Sequence, residues 1–275
     1  MGGYSIRAGY LIRVSKLRYG CRYTRSTSAI MSCCPTDKTQ APGSGYQPKG
    51  SFATVAGLKC YTVGSGNNGV GILAIYDIFG MHSNTCEEAD RLSEGLDGAL
   101  VVAPDFFHGK PWPAEKYPPN TPALQKEIGE WLGGAAAPTN HVEPARAVAK
   151  YMIKDRGVKK LGTIGHCWGA KVGVLMGTNP PELRAHAGPH PSFLTKEDGM
   201  NAKLPALYLE TKDDNLADFE EGVREAGVKN VTVSKYKETF HGFMAGRGDW
   251  TQPDQKEISD RAMAELINFF KKWLL

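Results

Sequence analysis

Three residue types that can together attack an acyl bond occur late in the chain, in order. Cys167 lies in "GTIGHCWGAK", residues 162 to 171; Asp213 and Asp214 close "PALYLETKDD"; His241 opens "HGFMAGRG". A thiol becomes a nucleophile when a base takes or shares its proton. An imidazole is such a base near neutral pH, and a carboxylate on its other nitrogen fixes the tautomer and stabilises the cation. Gly165 and Gly169 stand two positions either side of Cys167. That spacing suits a sharp strand-to-helix turn, in which the nucleophile's backbone is strained and the flanking positions have no room for side chains. At the start of the following helix, the dipole and N–H groups favour a thiolate and, later, an oxyanion.

Such a turn needs a strand before it and a helix after it, and the surrounding chain supplies both. From about Ser51 onward, short apolar runs alternate with longer amphipathic stretches, the signature of a mostly parallel sheet covered by helices. "FATVAGLKCYTV" reads as an opening antiparallel pair. "VGILAIYD" (70 to 77) is apolar almost throughout, as expected of a central strand buried on both faces. Further strands are read at "ALVVAPD" (99 to 105), "KKLGTIG", "RAHAG", "PALYLE" and "VTVSKY". Helices are expected at about 85 to 96, 124 to 132, 141 to 156, 170 to 176, between the last two strands, and at 255 to 275. Residues 106 to 140 are proline-rich and read as substrate-facing loops. Nucleophile, then acid, then histidine, each on a loop after a later strand, is the order found in α/β-hydrolases. Of the remaining histidines, His166, His186 and His190 read as core or pocket-wall residues, and His82, His108 and His141 as solvated surface.

Composition narrows the partners. The formal charge is +4, but the excess sits before residue 36, where Arg7, Arg13, Lys16, Arg18, Arg22 and Arg25 occur without an acid. The rest is near neutral and carries no nucleic-acid footprint. No run of eighteen apolar residues occurs, which argues against a membrane-spanning helix. Residues 1 to 35 fit either a mitochondrial presequence or a basic disordered tail upstream of a start at Met31, and residues 36 to 50 read as linker. The domain is expected over 51 to 275, in the cytoplasm or the mitochondrion. The six cysteines form no CxxC pair, so neither a zinc site nor a disulfide framework is indicated, and a reducing compartment fits.

With these residues in place, the chain resembles the dienelactone hydrolases (carboxymethylenebutenolidases), most closely their eukaryotic, fungal-type branch. The carrying motifs are "YDIFG" (76 to 80), "APDFFHG" (103 to 109), "GHCWGAK" (165 to 171), "HPSF" (190 to 193) and "FHGFMAGRG" (240 to 248). The resemblance implies an α/β-hydrolase fold without a large lid domain and a Cys167–His241–Asp214 triad, with Asp213 as the fallback acid. It also implies that Asp77, in place of the family's acid, contacts the resting thiol and helps it ionise; an aspartate has less reach there than a glutamate. The backbone N–H groups of Ile78 and Trp168 would form the oxyanion hole, each such donor being worth roughly 3 kcal/mol of barrier.

What the resemblance implies about substrate is a small ester or lactone, cleaved through a thioester acyl-enzyme without cofactor or metal. Bacterial relatives hold a substrate carboxylate with two arginines, at positions that Gly109 and Ala245 occupy here. His108, Lys110 and Arg247 are the nearby cations, and Trp112 is a candidate pocket wall. Phe106 and Phe107 read more readily as core. A general carboxylesterase or thioesterase is the alternative within catalysis. A non-catalytic binding protein with Cys167 as a redox-sensing thiol is the alternative outside it. A monomer and a homodimer both fit.

Overall fold

The computed structural model describes residues 45–275; the basic extension and most of the linker expected from the sequence lie outside the described residues. Eight strands form one sheet in the order β1-β2-β4-β3-β5-β6-β7-β8. They are β1 (Ser51–Val55), β2 (Leu58–Val63), β3 (Val70–Ile75), β4 (Leu100–Pro104), β5 (Lys160–Gly165), β6 (Leu183–Pro189), β7 (Ala206–Thr211) and β8 (Val231–Tyr236). The β1–β2 and β2–β4 pairs are antiparallel, and every pair from β4 to β8 is parallel. The opening hairpin and the parallel body therefore both follow the sequence reading. The helices are α1 (Ser83–Gly95), α2 (Pro122–Gly133), α3 (Val142–Lys154), α4 (Trp168–Met176), α5 (Lys196–Met200), α6 (Ala217–Glu225) and α7 (Pro253–Leu274).

The continuous apolar strands are explained by what lies on each side of the sheet. In β3, Leu73 and Ile75 face a core shared with α3 and α4, while Val70, Ile72 and Ala74 face one shared with α1 and α7. β4 divides likewise, with Leu100 and Val102 on the first side and Val101 and Ala103 on the second. A strand covered on both faces has no solvent side to carry polar residues, so the alternation disappears.

Two features depart from the sequence reading. Helix α5 is only five residues long, too short for an apolar period, and is announced by a capping box in which Thr195 and Asp198 satisfy each other's backbone N–H groups. His82 and His141 are buried, not solvated. The ring of His82 caps α1 by accepting from the N–H of Asn84 at 3.2 Å, and that of His141 packs edge-on to Trp168 with centroids 5.0 Å apart. The end of the expected linker is tied down as well: Tyr46 Oη and Lys49 N–H both donate to the buried carboxylate of Asp90 on α1, each at 2.8 Å.

Strand order reverses at β3, whose neighbours β4 and β5 lead outward in opposite directions. In open α/β sheets the crevice beyond the carboxyl ends of strands at such a point is where ligands bind. The segments after β3, β4, β5, β6, β7 and β8 carry the candidate site residues discussed next.

Candidate active site

Cys167 follows β5 and immediately precedes α4, with φ 51° and ψ −112°. For a residue with a side chain this is the left-handed half of backbone space, a strain of about 1–3 kcal/mol that neighbouring structure must hold. The two glycines make the turn feasible. A Cβ on Gly165 would come within 2.3 Å of the Gly169 carbonyl oxygen, and one on Gly169 within 2.4 Å of the Ile75 carbonyl oxygen at the end of β3. The Cys167 turn is thus seated against the strand leading to Asp77 and Ile78. The helix after it starts at Trp168, two residues earlier than the sequence suggested, so Trp168 is its first residue.

His241 and Asp214 meet on the loops that follow β8 and β7. His241 Nδ1 lies 2.6 Å from Asp214 Oδ1, and both side chains are almost wholly buried. The other carboxylate oxygen, Oδ2, accepts from the Thr211 N–H at 2.8 Å and the Thr211 hydroxyl at 2.7 Å. Asp213 is used differently: its Oδ2 accepts the backbone N–H of His241 at 3.1 Å. Of the two acids left open by the residues alone, Asp214 holds the ring and Asp213 holds the loop.

The carboxylate of Asp77 ties two loops together. Its Oδ1 accepts from the Phe79 N–H at 2.8 Å and its Oδ2 from the Gly246 N–H at 3.2 Å, joining the β3 turn to the segment after His241. Burial pushes this carboxyl above the ordinary aspartate range; those two N–H groups and the nearby His166 pull the other way. Of the other cysteines described, burial pushes the Cys60 thiol up to about 11 and the Cys86 thiol up to about 12, which leaves both inert as nucleophiles near neutrality.

Three residues that the sequence reading did not place in the triad stand beside this group. Ser192, in the loop after β6, places its Oγ 3.3 Å from Cys167 Sγ. The His190 ring sits 5.0 Å from that of His241, centroid to centroid, and its Nε2 is 3.4 Å from Nδ1 of His166. On its far side, His166 Nε2 meets Glu88 Oε2 of α1 at 2.7 Å, and both residues are buried. The motif "HPSF" was the available signal for Ser192 and His190. For Glu88, 78 positions from His166, none existed.

The candidate substrate contacts separate into two pairs. Arg247 is buried: its Nη1 donates to the His241 carbonyl at 2.6 Å, and its guanidinium lies over Tyr117 and Phe240 at 5.3 and 5.5 Å from their ring centroids. Trp112 is buried too, with its N–H bonded to the Ile78 carbonyl at 2.9 Å and no hydrogen-bond partner for its indole Nε1 among the described residues. His108 and Lys110 are exposed. Phe106 and Phe107 pack against Trp168 in the core. Among the described residues, no group of three or more His, Cys, Asp or Glu could hold a metal ion, and no helix is long and apolar enough to cross a membrane.

An eight-stranded, mostly parallel sheet with helices on both faces and a strained strand-to-helix turn at its carboxyl edge defines an α/β-hydrolase. The chain belongs to the dienelactone hydrolase family, whose model matches residues 58–274. An uncharacterized AIM2 family protein of Schizosaccharomyces pombe is 34% identical over 88% of this chain and 99% of its own length. A carboxymethylenebutenolidase homolog of Rattus norvegicus is 28% identical over 83% of this chain and 93% of its own. In fold, the chain is similar to the crystal structure of a putative dienelactone hydrolase from Klebsiella pneumoniae, with a TM-score of 0.61 at 17% identity over 85% of this chain and 97% of that one. Family membership places it among hydrolases of small ester and lactone substrates.

Proposed function

We propose that this hydrolase opens a small carboxylic ester or lactone with the thiolate of Cys167 as nucleophile. The observation that carries the reading is Cys167 at φ 51° on the β5–α4 turn, in a molecule whose loops after β7 and β8 bring His241 onto Asp214 at 2.6 Å. The Nε2 atom of His241 takes the thiol proton, and Asp214 on Nδ1 stabilises the resulting cation. The thiolate attacks the carbonyl carbon. The tetrahedral oxygen collects its negative charge against the N–H groups of Ile78 and Trp168, and collapse expels the alcohol with a proton from His241. Water, deprotonated by His241, then hydrolyses the thioester and restores the thiol.

Asp77 helps in this reading by holding the β3 turn and the His241 loop in register, and is the acid we assign to contacting the resting thiol. Arg247 is the cation we assign to a substrate carboxylate, because its charge is buried with the site whereas His108 and Lys110 face solvent. Trp112, with its unsatisfied indole N–H, is assigned to the pocket wall.

The test compares wild type, Cys167→Ala and Cys167→Ser on a dienelactone, a neutral aryl acetate and an acyl thioester. Turnover lost in both variants, with an acyl adduct mass on wild-type Cys167, supports the reading; equal background rates in all three overturn it. Preference for the anionic lactone that disappears in Arg247→Met supports the carboxylate assignment.

A further inference from the structure

We propose that Ser192 is a further catalytic residue: its hydroxyl donates a hydrogen bond to the Cys167 sulfur whenever that sulfur is an anion. The inference rests on Cys167 being the nucleophile.

The loop that presents Ser192 is docked on the nucleophile itself. The Cys167 N–H donates to the Pro189 carbonyl at 3.3 Å, the Ser192 N–H donates back to the Cys167 carbonyl at 3.0 Å, and the His190 N–H is anchored on the Leu209 carbonyl of β7 at 2.8 Å. His190 and Phe193, on either side of Pro191 and Ser192, both have positive φ, 37° and 63°. Two residues with side chains held in that region within four positions mark a loop whose shape is imposed by its surroundings. What that shape achieves is the placement of one hydroxyl, nearly buried, 3.3 Å from Sγ.

A hydroxyl there behaves differently toward the two states of the sulfur. Against the neutral thiol, either group can donate. Against the thiolate only Ser192 can, since the sulfur then has no proton and accepts alone. A donor that strengthens its bond when its neighbour is charged favours the charged form and lowers the proton affinity of the sulfur. Proton balance is simple: the S–H bond breaks, the proton goes to His241 Nε2, and the Ser192 O–H bond stays intact while the hydroxyl turns to the sulfur. When the C–S bond forms, the charge moves to the carbonyl oxygen and the hydroxyl loses its anionic partner. When the second tetrahedral intermediate collapses, the sulfur departs as a thiolate and regains it. Ser192 therefore serves both the formation of the nucleophile and its release, because a better-stabilised thiolate is also a better leaving group.

The test reads the thiol directly and needs no ester turnover. Iodoacetamide alkylation of Cys167, followed by the mass of its peptide, is measured against pH for wild type, Ser192→Ala and Ser192→Thr. Cys167→Ala identifies the signal. The expected result is a midpoint about one pH unit higher in Ser192→Ala, hence about tenfold slower alkylation below it, with Ser192→Thr restored toward wild type. A Ser192→Ala profile superimposable on wild type, or shifted to lower pH, overturns the proposal. Should Ser192→Ala not fold, Ser192→Gly carries the same expectation. If esters are not turned over at all but the alkylation midpoint still moves, the hydrolytic reading fails and the Ser192–thiolate contact stands.

Discussion

Replacing Asp214 with asparagine changes one atom, and the structure dictates where that atom goes. The Oδ2 position receives two donors from Thr211, the N–H at 2.8 Å and the hydroxyl at 2.7 Å. The amide oxygen must take this corner, because the opposite rotamer would set the NH2 group against the Thr211 N–H at a cost of about 1–3 kcal/mol. The NH2 group is thereby turned toward His241 Nδ1, which the carboxylate holds at 2.6 Å. An amide nitrogen can only donate, so Nδ1 must present its lone pair and the ring proton moves to Nε2. That nitrogen can then no longer accept the thiol proton. The expected loss is about 10⁴-fold in kcat, or roughly 5 kcal/mol of barrier. The assay is steady-state hydrolysis of a small ester by Asp214→Asn, with thermal unfolding recorded on the same sample. Asp213→Asn is the control: its amide oxygen still accepts the His241 N–H, so the loss of one charge-assisted bond predicts less than about tenfold. A folded Asp214→Asn enzyme retaining more than about a tenth of wild-type kcat would refute the tautomer argument.

Two further outcomes concern stability. Burial pushes the His186 imidazole down to about 3. In the unfolded chain the ring titrates near 6.5, so between these values only the unfolded chain takes up the proton; this contribution is intact above pH 6.5 and is lost as pH falls, by roughly 2 kcal/mol at pH 5. Urea denaturation at pH 7 and pH 5 should show a correspondingly smaller drop for His186→Gln, and equal drops in both proteins contradict it. Glu88→Ala removes one partner of the buried pair with His166 and should destabilise by about 3–5 kcal/mol, lowering Tm by roughly 6–20 °C, with Glu88→Gln intermediate. A Glu88→Ala melt that overlays wild type sinks that account.

Much of the architecture was legible because its signals are local. The apolar runs of β3 and β4, the glycine pair around Cys167, and the order of cysteine, aspartates and histidine are all read along the chain. What escaped is what the fold brings together across distance. Helix α5 is shorter than two turns, so no period exists to detect, and only its cap betrays it. His82 and His141 were assigned to the surface because loop and helix-start positions usually are, yet one is consumed in a cap and the other in an aromatic cluster. Asp213 and Asp214 are adjacent and chemically identical, and what distinguishes them is which reaches the His241 ring and which its backbone. Ser192 lay within a quoted motif, but its approach to sulfur depends on the loop being pinned to Cys167 from both sides. Glu88 carries no mark at all in the sequence; it reads as one more acid on an amphipathic helix until α1 is laid against the turn that holds His166.

The close seating of Gly169 on the Ile75 carbonyl bears on how such a protein can change over time. At position 167 cysteine and serine differ in a single side-chain atom, so a thiol and a hydroxyl there are separated by one substitution. At positions 165 and 169, where an added carbon would fall within 2.4 Å of a carbonyl oxygen, no such latitude exists. The side chain at position 167 is therefore the easily varied property of this turn, while its geometry is inherited as a fixed frame.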